Sequence, residues 1–571
     1  MTKAQVRVRF APSPTGPLHI GGVRTALYNY LLAKKTGGVF ILRIEDTDQK
    51  RFVPGAEQYI KDALVWAGID YDEGPDKNEL YGPYRQSERK EIYQKYIQQL
   101  IDNGWAYYAF DTAEELEAMR ERLKKSGKSS PKYDLFVREY MQNSLALPQD
   151  EVQARLDRNE PYVIRLKVPR GEEIKFEDEI RGWVSVKSEE LDDKVLVKSD
   201  GLPTYHLANI VDDHLMKISH VIRGEEWLPS APLHVLLYRA FGWEDEMPSF
   251  AHLPLILKPD PSSYINKGSK LAFAQLFADE YSTKNELDTG KVKGISEALF
   301  SNPKDLQNQL RANAKDDGVK AGFKEFVKKS MYGKLSKRDG DRLGFPVFPL
   351  SWEAEGITGY KESGYLPDAF LNILVMLGWN PGTSQELFTL AELTQAFSLE
   401  RVGKSGAKFD PTKAKWYNQQ FLRRLPSEVI LSSFRDIVNA QGVEAQDDYL
   451  LEVLSLIKEK ASFASDFWDL SAYFFQAPSE YNHPVMAKKW DAEARVFFEQ
   501  INKEWTVSED FTAATLEADF SAKGDDAKKY MQVLRVLVTG QGAGPALFPI
   551  IALLGKQECL DRMQSALSVL D

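Results

Sequence analysis

Val6, Val8 and Phe10 alternate with other residues, the period-two pattern of a strand. The alternation stops at Pro12, Ser13, Pro14, Thr15 and Gly16, a turn-forming cluster. From Gly21 to Lys35 the apolar set Val23, Leu27, Tyr30 and Leu31 recurs at helical spacing, and Gly37 and Gly38 stop that helix. Residues 39–44 predict a second strand, and 54–67 a second helix followed by Gly68. Strand, helix, strand, helix with short links is the pattern of a parallel α/β sheet.

Residues 105–205 read differently. A charged helical stretch at 113–125 leads into the polar loop 126–131, and short β-rich pieces follow at 162–168, 182–186 and 194–198. This predicts an α+β insertion between two halves of the first sheet, whose pattern resumes around 204–223. Residues 262–331 hold 12 Lys/Arg against 9 Asp/Glu, with modest helical periodicity and no recognisable motif. From about 386 onward the chain reads as almost all helix, most clearly at 450–460, 528–538 and 545–554.

At 571 residues the chain exceeds one core; roughly 150 residues per domain gives about three to five units. The net charge of −11 does not suggest a nucleic-acid partner, yet a local basic face suffices for phosphate contact. The single cysteine, Cys559, can form neither an internal disulfide nor a CxxC metal pair, which fits a reducing compartment. The N-terminus shows no signal-length apolar run, and no stretch approaches membrane-spanning length. A soluble cytoplasmic protein is expected, with no membrane partner.

Two segments carry the candidate chemistry. RFAPSPTGPLHIGG (9–22) places a strand, a turn of small residues and a helix start in succession, which makes an anion site of exposed N–H groups and helix dipole. Pro12 and Pro14 stiffen the turn, Gly21 and Gly22 admit a nucleotide close to the backbone, and His19 can donate to a phosphate. Taken alone, His19 reads better as an incidental histidine in a rigid turn; the full fourteen-residue string reverses that preference. KLSKR (334–338) sets Lys334 and Lys337 three apart with Arg338 adjacent, between Gly333 and Gly340. Flanking glycines suit a mobile loop closing over a ligand, and paired ammonium groups suit a polyphosphate. A solvated basic loop is the alternative. No G-x-x-x-x-G-K-[ST] occurs, and the glycines at 540–544 join two helical patterns as a turn.

RIEDTD (43–48) ends the second strand, where ligands bind in parallel sheets, and Glu45 could hold an ammonium group. PTYHLAN (203–209) and HVIRGEEW (220–227) form another candidate wall, with Arg223 suited to a carboxylate. His206, His214, His220 and His234 match no zinc spacing. Residues 398–424 hold Arg401, Lys404, Lys408, Lys413, Lys415, Arg423 and Arg424 against Glu400 and Asp410, with Trp416 and Tyr417 interleaved. That reads as a stripe for RNA phosphates, the aromatics being free to stack on bases.

Together these strings, with GYLPDAFLNILVMLGWNPG (364–382), resemble the bacterial-type glutamyl-tRNA synthetases, class I enzymes. Residues 9–22 are similar to the family's HIGH region, with glycine for the final histidine. KLSKR is similar to its KMSKS loop, with Leu335 for Met and Arg338 for the final Ser. The resemblance covers the chain except 262–331. It implies a Rossmann-like catalytic domain in two halves, 1–104 and 206–261, with an inserted acceptor-arm domain at 105–205; 262–331, outside the resemblance, reads as a tRNA-contacting appendage or, in preference, a lineage-specific insertion. A loop and stem-contact region at 332–385 and an all-α anticodon-binding domain at 386–571 would follow.

By the same resemblance, Arg9, Tyr205 and Asn209 would read the glutamate side-chain carboxylate, and Arg223 the α-carboxylate. Ala11, Ser13 and Glu45 would receive the α-amino group. Ser13, Thr15, His19, Gly21, Gly22, Glu226, Trp227, Lys334, Leu335, Ser336 and Lys337 would line the ATP site, with His19, Lys334 and Lys337 catalytic. Arg401, Lys404, Lys408, Lys413, Lys415, Trp416, Arg423 and Arg424 would meet tRNA. The implied activity is a glutamate–tRNA ligase using ATP with Mg²⁺, L-glutamate and tRNA(Glu), as a monomer. Some relatives hold zinc in the inserted domain; residues 105–110 here read WAYYAF without cysteine, so no zinc is expected. Rival readings are a glutaminyl enzyme, which would end in β-barrels, a truncated glutamyl transferase acting on a tRNA base, a small-molecule nucleotidyltransferase, and a pure RNA-binding module.

Overall fold

The computed structural model describes residues 5–77, 80–259, 322 and 333–570. The chain divides into two compact units, Met1–Ser363 with Phe370–Pro411, and Gly364–Ala369 with Thr412–Asp571. The stretch 262–331 lies, apart from Gly322, outside the described residues.

The first unit opens with the expected alternation: β1 (Arg7–Phe10), α1 (Ile20–Thr36), β2 (Val39–Leu42) and α2 (Ala56–Trp66). β1 and β2 pair in parallel from Arg7 opposite Val39 to Phe10 opposite Leu42. Gly37 at φ 64 closes α1 by donating back to the carbonyls of Ala33 and Lys34. α2 starts two residues later than its period suggests, because Gly55 before it is left-handed at φ 83.

Next come α3 (Lys90–Asp102), β3 (Ala106–Ala109), α4 (Ala113–Lys125), α5 (Gln149–Asp157), β4 (Val163–Leu166), β5 (Glu173–Asp178), β6 (Gly182–Lys187) and β7 (Val195–Val197). α4 starts on a reciprocal Thr112–Glu115 cap. β3, β4 and β7 make a small antiparallel sheet. The β5–β6 hairpin lies elsewhere. After α6 (Tyr205–Leu215), β8 (His220–Gly224), α7 (Ala231–Phe241) and β9 (Ser249–Leu253), the strand order is β6-β5-β9-β8, with β8 and β9 parallel. The hairpin's β pattern is legible at 182–186, but period two names no partner. Phe176 on Phe250, with ring centroids 5.7 Å apart, and the buried Asp178 opposite Phe250 select β9. β1 lies beside β8: Ser219 N donates to Arg7 O at 2.9 Å and Arg7 N to Ser219 Oγ at 2.8 Å.

The helical period is visible from Leu390, yet the helix Leu390–Ala396 packs on α1, and Tyr28 meets Phe397 with ring centroids 5.1 Å apart. Residues 386–411 therefore belong to the first unit, and the second takes up Gly364–Ala369 and then Thr412–Asp571. Its described residues are helical from the helix Pro411–Arg424 to Lys556–Val569, with no strand among them. Two apolar cores fill it, one around Phe434, Val453 and Phe467 and one around Phe498, Val533 and Met563. No helix among the described residues is long and apolar enough to cross a membrane.

Candidate active site

A cavity of about 280 Å³ opens where β1, β2 and β8 end, the carboxyl edge at which parallel sheets bind ligands. Segments far apart in sequence meet there. Arg9, Ala11, Ser13, His19, Gly21 and Gly22 come from β1 and the start of α1, Glu45 from beyond β2, Tyr205 and Asn209 from α6. Arg223, Glu226 and Trp227 follow from β8, and Lys337 from KLSKR. Among the expected nucleotide residues, Thr15, Lys334, Leu335 and Ser336 do not line it.

One end is built from paired charges. Asp213 accepts from Arg9 Nε at 3.0 Å and Nη2 at 3.2 Å, and from Arg43 Nη1 at 2.7 Å. Arg43 also donates to Glu45 Oε1 at 3.1 Å, and Asn209 donates to the same oxygen at 3.1 Å. Burial pushes the Glu45 carboxyl up while Arg43 and Arg9 pull it down, and the net direction is up. Asn209 Oδ1 is buried without a partner, a polar atom left for a ligand. Asp213 and Arg43 were not singled out from the sequence. The signal for Asp213 was there: Tyr205, Asn209 and Asp213 recur every four residues, one face of α6.

Arg223 supplies the second cationic point. Its Nη1 donates to Tyr205 Oη at 2.6 Å and its Nε to His252 Nε2 at 3.0 Å. Tyr205 and Trp227 lie ring on ring, centroids 4.5 Å apart. Of the four histidines weighed for metal, His206 and His234 adjoin Arg223, with Nδ1 and Nε2 3.3 Å apart, while His214 stacks on Trp243. Among the described residues no group of three or more His, Cys, Asp or Glu is placed to hold a metal ion.

The other end suits phosphate. His19 caps α1, its Nδ1 accepting from Gly21 N at 3.1 Å, so the neutral ring carries its proton on Nε2. That Nε2 is shielded from solvent and has no partner. Burial, then Lys337 and Lys334, push the imidazole down to about 3. Burial likewise lowers the Lys337 ammonium. A Cβ on Gly16, at φ +126, would stand 3.7 Å from Lys337 Nζ, so the lysine reaches over the turn after β1. Gly22 also serves packing, since a Cβ there would meet Leu18 Cδ1 at 2.5 Å.

KLSKR is held down on both sides. β10 (Ile256–Leu257) takes the Leu335 N–H at 2.8 Å, and Lys334 bonds Glu226 Oε1 at 2.8 Å. Ser336 and Asp339 cap the short turn Lys337–Asp339 reciprocally. Gly340 has an ordinary helical φ of −58, and a Cβ there would stand 3.0 Å from Val347 Cγ2, so this glycine also serves close packing.

The basic stripe divides between the units. Arg401, Lys404 and Lys408 are exposed in the first; Lys413, Lys415, Arg423 and Arg424 are exposed in the second, with Trp416 half-buried. Tyr417 is buried and cannot stack on a base, because the inward face of its helix runs Ala414, Tyr417, Phe421. Arg423 is engaged, donating from Nε to Glu459 O at 2.8 Å. A second cavity in the first unit, about 520 Å³, is lined by Arg120, Lys132, Arg165 and Lys194 and shares Tyr205 and Trp227 with the first.

Comparisons with known proteins identify the family. Residues 5–307 and 321–416 match the family of tRNA synthetases class I (E and Q), catalytic domain, and 420–567 match an anticodon binding domain. A glutamate–tRNA ligase of Cytophaga hutchinsonii is 50% identical over 100% of this chain and 98% of its own. That of Flavobacterium johnsoniae is 48% identical over 99% of each. The crystal structure of a glutamate tRNA ligase from Elizabethkingia meningosepticum, in complex with its amino acid, superposes with a TM-score of 0.81 at 41% identity, covering 100% of both chains. Full-length likeness of sequence and fold, joined to this site, makes the chain a member of the glutamate–tRNA ligase family of class I tRNA synthetases.

Proposed function

We propose that this protein activates L-glutamate with ATP in the 280 Å³ cavity and transfers it to the 3′ end of tRNA(Glu). The observation that carries this reading is a single cavity with amino-acid chemistry at one end and phosphate chemistry at the other. Arg9, with Tyr205 and Asn209, receives the side-chain carboxylate; Arg223 receives the α-carboxylate; Glu45, Ala11 and Ser13 take the ammonium. Arg9, Arg43, Asp213 and Glu45 are already balanced, two cations against two anions. Glutamate adds an ammonium and a carboxylate to that cluster, which stays balanced. Glutamine adds the ammonium alone, a mismatch in a buried site.

Glutamate is ionised at neutral pH, so no general base is needed. An α-carboxylate oxygen attacks the α-phosphorus of ATP in line, and pyrophosphate leaves. His19 donates from Nε2 to a phosphate oxygen, while Lys334 and Lys337 offset the charge that builds on the phosphates. Bound with ATP, Mg²⁺ would supply charge neutralisation to the phosphates, and Glu226, the carboxylate lining that side of the cavity, could help to hold it. The terminal ribose hydroxyl of the tRNA then takes the acyl group and AMP is released. The basic second cavity, sharing Tyr205 and Trp227, suits the approach of that RNA end. A monomer in the cytoplasm, and anticodon contact by the helical unit, belong to the same reading.

Pyrophosphate exchange tests it, run with glutamate or glutamine, with and without tRNA. Exchange with glutamate that depends on tRNA is expected. Exchange with glutamine alone sinks the reading.

A further inference from the structure

Arg223 is aimed by two residues that never reach the cavity. His252 is its register partner on β9 and is fully buried. Asp178, at the end of β5, is also buried, and its Oδ2 lies 2.6 Å from His252 Nδ1. The Asp178 carboxylate further accepts from the backbone N–H groups of Arg181 at 2.8 Å and Ile180 at 3.1 Å. Burial alone would raise its carboxyl, but these bonds, led by that of His252, hold it below the usual range.

An ionised Asp178 can only accept, so His252 must carry its proton on Nδ1. The Nε2 lone pair is then free to accept from Arg223 Nε, 3.0 Å away. On its other side Arg223 Nη1 meets Tyr205 Oη and faces His234 Nδ1 at 3.4 Å. Burial lowers both imidazoles, which keeps them neutral beside a cation.

We propose that Asp178 and His252 form a positioning pair that fixes Arg223 in the orientation needed for the α-carboxylate before the amino acid arrives. The inference rests on the reading of Arg223 given above. Neither partner lines the cavity, so their route to the substrate is the guanidinium. Pre-ordering a long flexible side chain removes an entropic cost from binding. The chain of bonds also explains why the β5–β6 hairpin is attached to β9 at Asp178: the strand junction delivers the carboxylate.

Two substitutions at one position separate positioning from filling space. His252→Gln keeps an acceptor near Nε2, whereas His252→Asn can bond Asp178 and leaves Arg223 Nε without an acceptor. In tRNA-dependent pyrophosphate exchange, H252N should raise the glutamate KM about 10- to 100-fold, the scale of one lost bond to a charged group. H252Q should raise it much less, and the ATP KM should move little in either. Asp178→Asn, which can turn the imidazole around by donating to Nδ1, should match H252N and serves if that variant does not fold. Adding H252N to Arg223→Gln should cost nothing further. Equal effects of H252N and H252Q, an ATP KM rising in parallel, or additivity with R223Q would each overturn the positioning role. An R223Q enzyme with unchanged glutamate KM would instead sink the functional reading.

Discussion

The two units bury polar groups on different terms. In the α/β unit Arg9, Arg43, Arg89, Asp178, Asp212, Asp213, Arg223 and His252 are all buried; Arg9 and Arg43 share Asp213, Arg89 pairs with Asp212, and Asp178 reaches Arg223 through His252. In the helical unit the described buried polar side chains are Asn418, Ser471, Thr539 and Arg562. Arg562 pairs with Glu558 at 2.7 Å and donates to the carbonyls of Tyr473 and Val538 at 2.7 and 3.0 Å, tying three helices together. Apolar packing would hold either fold at lower cost, since desolvating an ion pair cancels much of its attraction. On the proposed reading, the first unit carries that cost because an amino acid with two carboxylates must find its counter-charges already in place. The second holds itself together mainly by packing, with Arg562 as a buried tie and the basic side chains of residues 413–424 left outside.

The widest break in that contrast should come from Asp213. Asp213→Ala leaves two buried guanidinium groups facing each other, and should cost about 3–5 kcal/mol in urea unfolding. A loss under 1 kcal/mol would mean that Arg9 and Arg43 find another partner. Lys337→Ala should slow glutamate activation roughly 10²- to 10³-fold with an unchanged thermal midpoint, because its charge serves the transition state. An unaltered rate would reduce KLSKR to a surface loop. In the helical unit, Arg562→Met should cost about 1–3 kcal/mol for the carbonyls left unpaired. Its glutamate KM should stay at the wild-type value; a changed KM would show that the contrast between the units is too sharp.

The smallest effect concerns acid. His19 titrates near 3 in the folded protein and at 6.5 when exposed. Between those values the unfolded chain binds a proton that the folded one refuses, so stability falls as pH drops through that window and is untouched above it. His206, pushed down to about 4 by burial, adds to the same limb. His19→Gln should flatten the fall of the urea midpoint between pH 6.5 and about 3, and an unchanged slope would argue against a neutral, enclosed imidazole.

Much of this was legible in residue order. The turn after β1, the glycine stop of α1, and the charged strings at 43–48, 220–227 and 334–338 announce themselves through local rules of period and spacing. So does membership in the synthetase family, since long motifs in order survive as strings. What local rules could not assign is partnership. Residues 182–186 read as β from the sequence, but only the fold shows that they pair with Glu173–Asp178 and extend the sheet of β8 and β9. The helix at 390–396 is plainly helical, yet it packs on α1. Tyr417 looked free to stack on a base until its helix turned it inward.

The same division runs through the site. Arg9, Glu45, Arg223 and the two lysines are named by their strings, because a charged side chain at a strand end or in a glycine-flanked loop is already a chemical statement. Asp213, Arg43, His252 and Asp178 are not, because each acts through a residue tens to hundreds of positions away. A sequence states which charges a chain carries and where its elements begin. Which charge faces which, and so how an arginine is aimed, depends on buried distances that exist only once distant strands lie side by side.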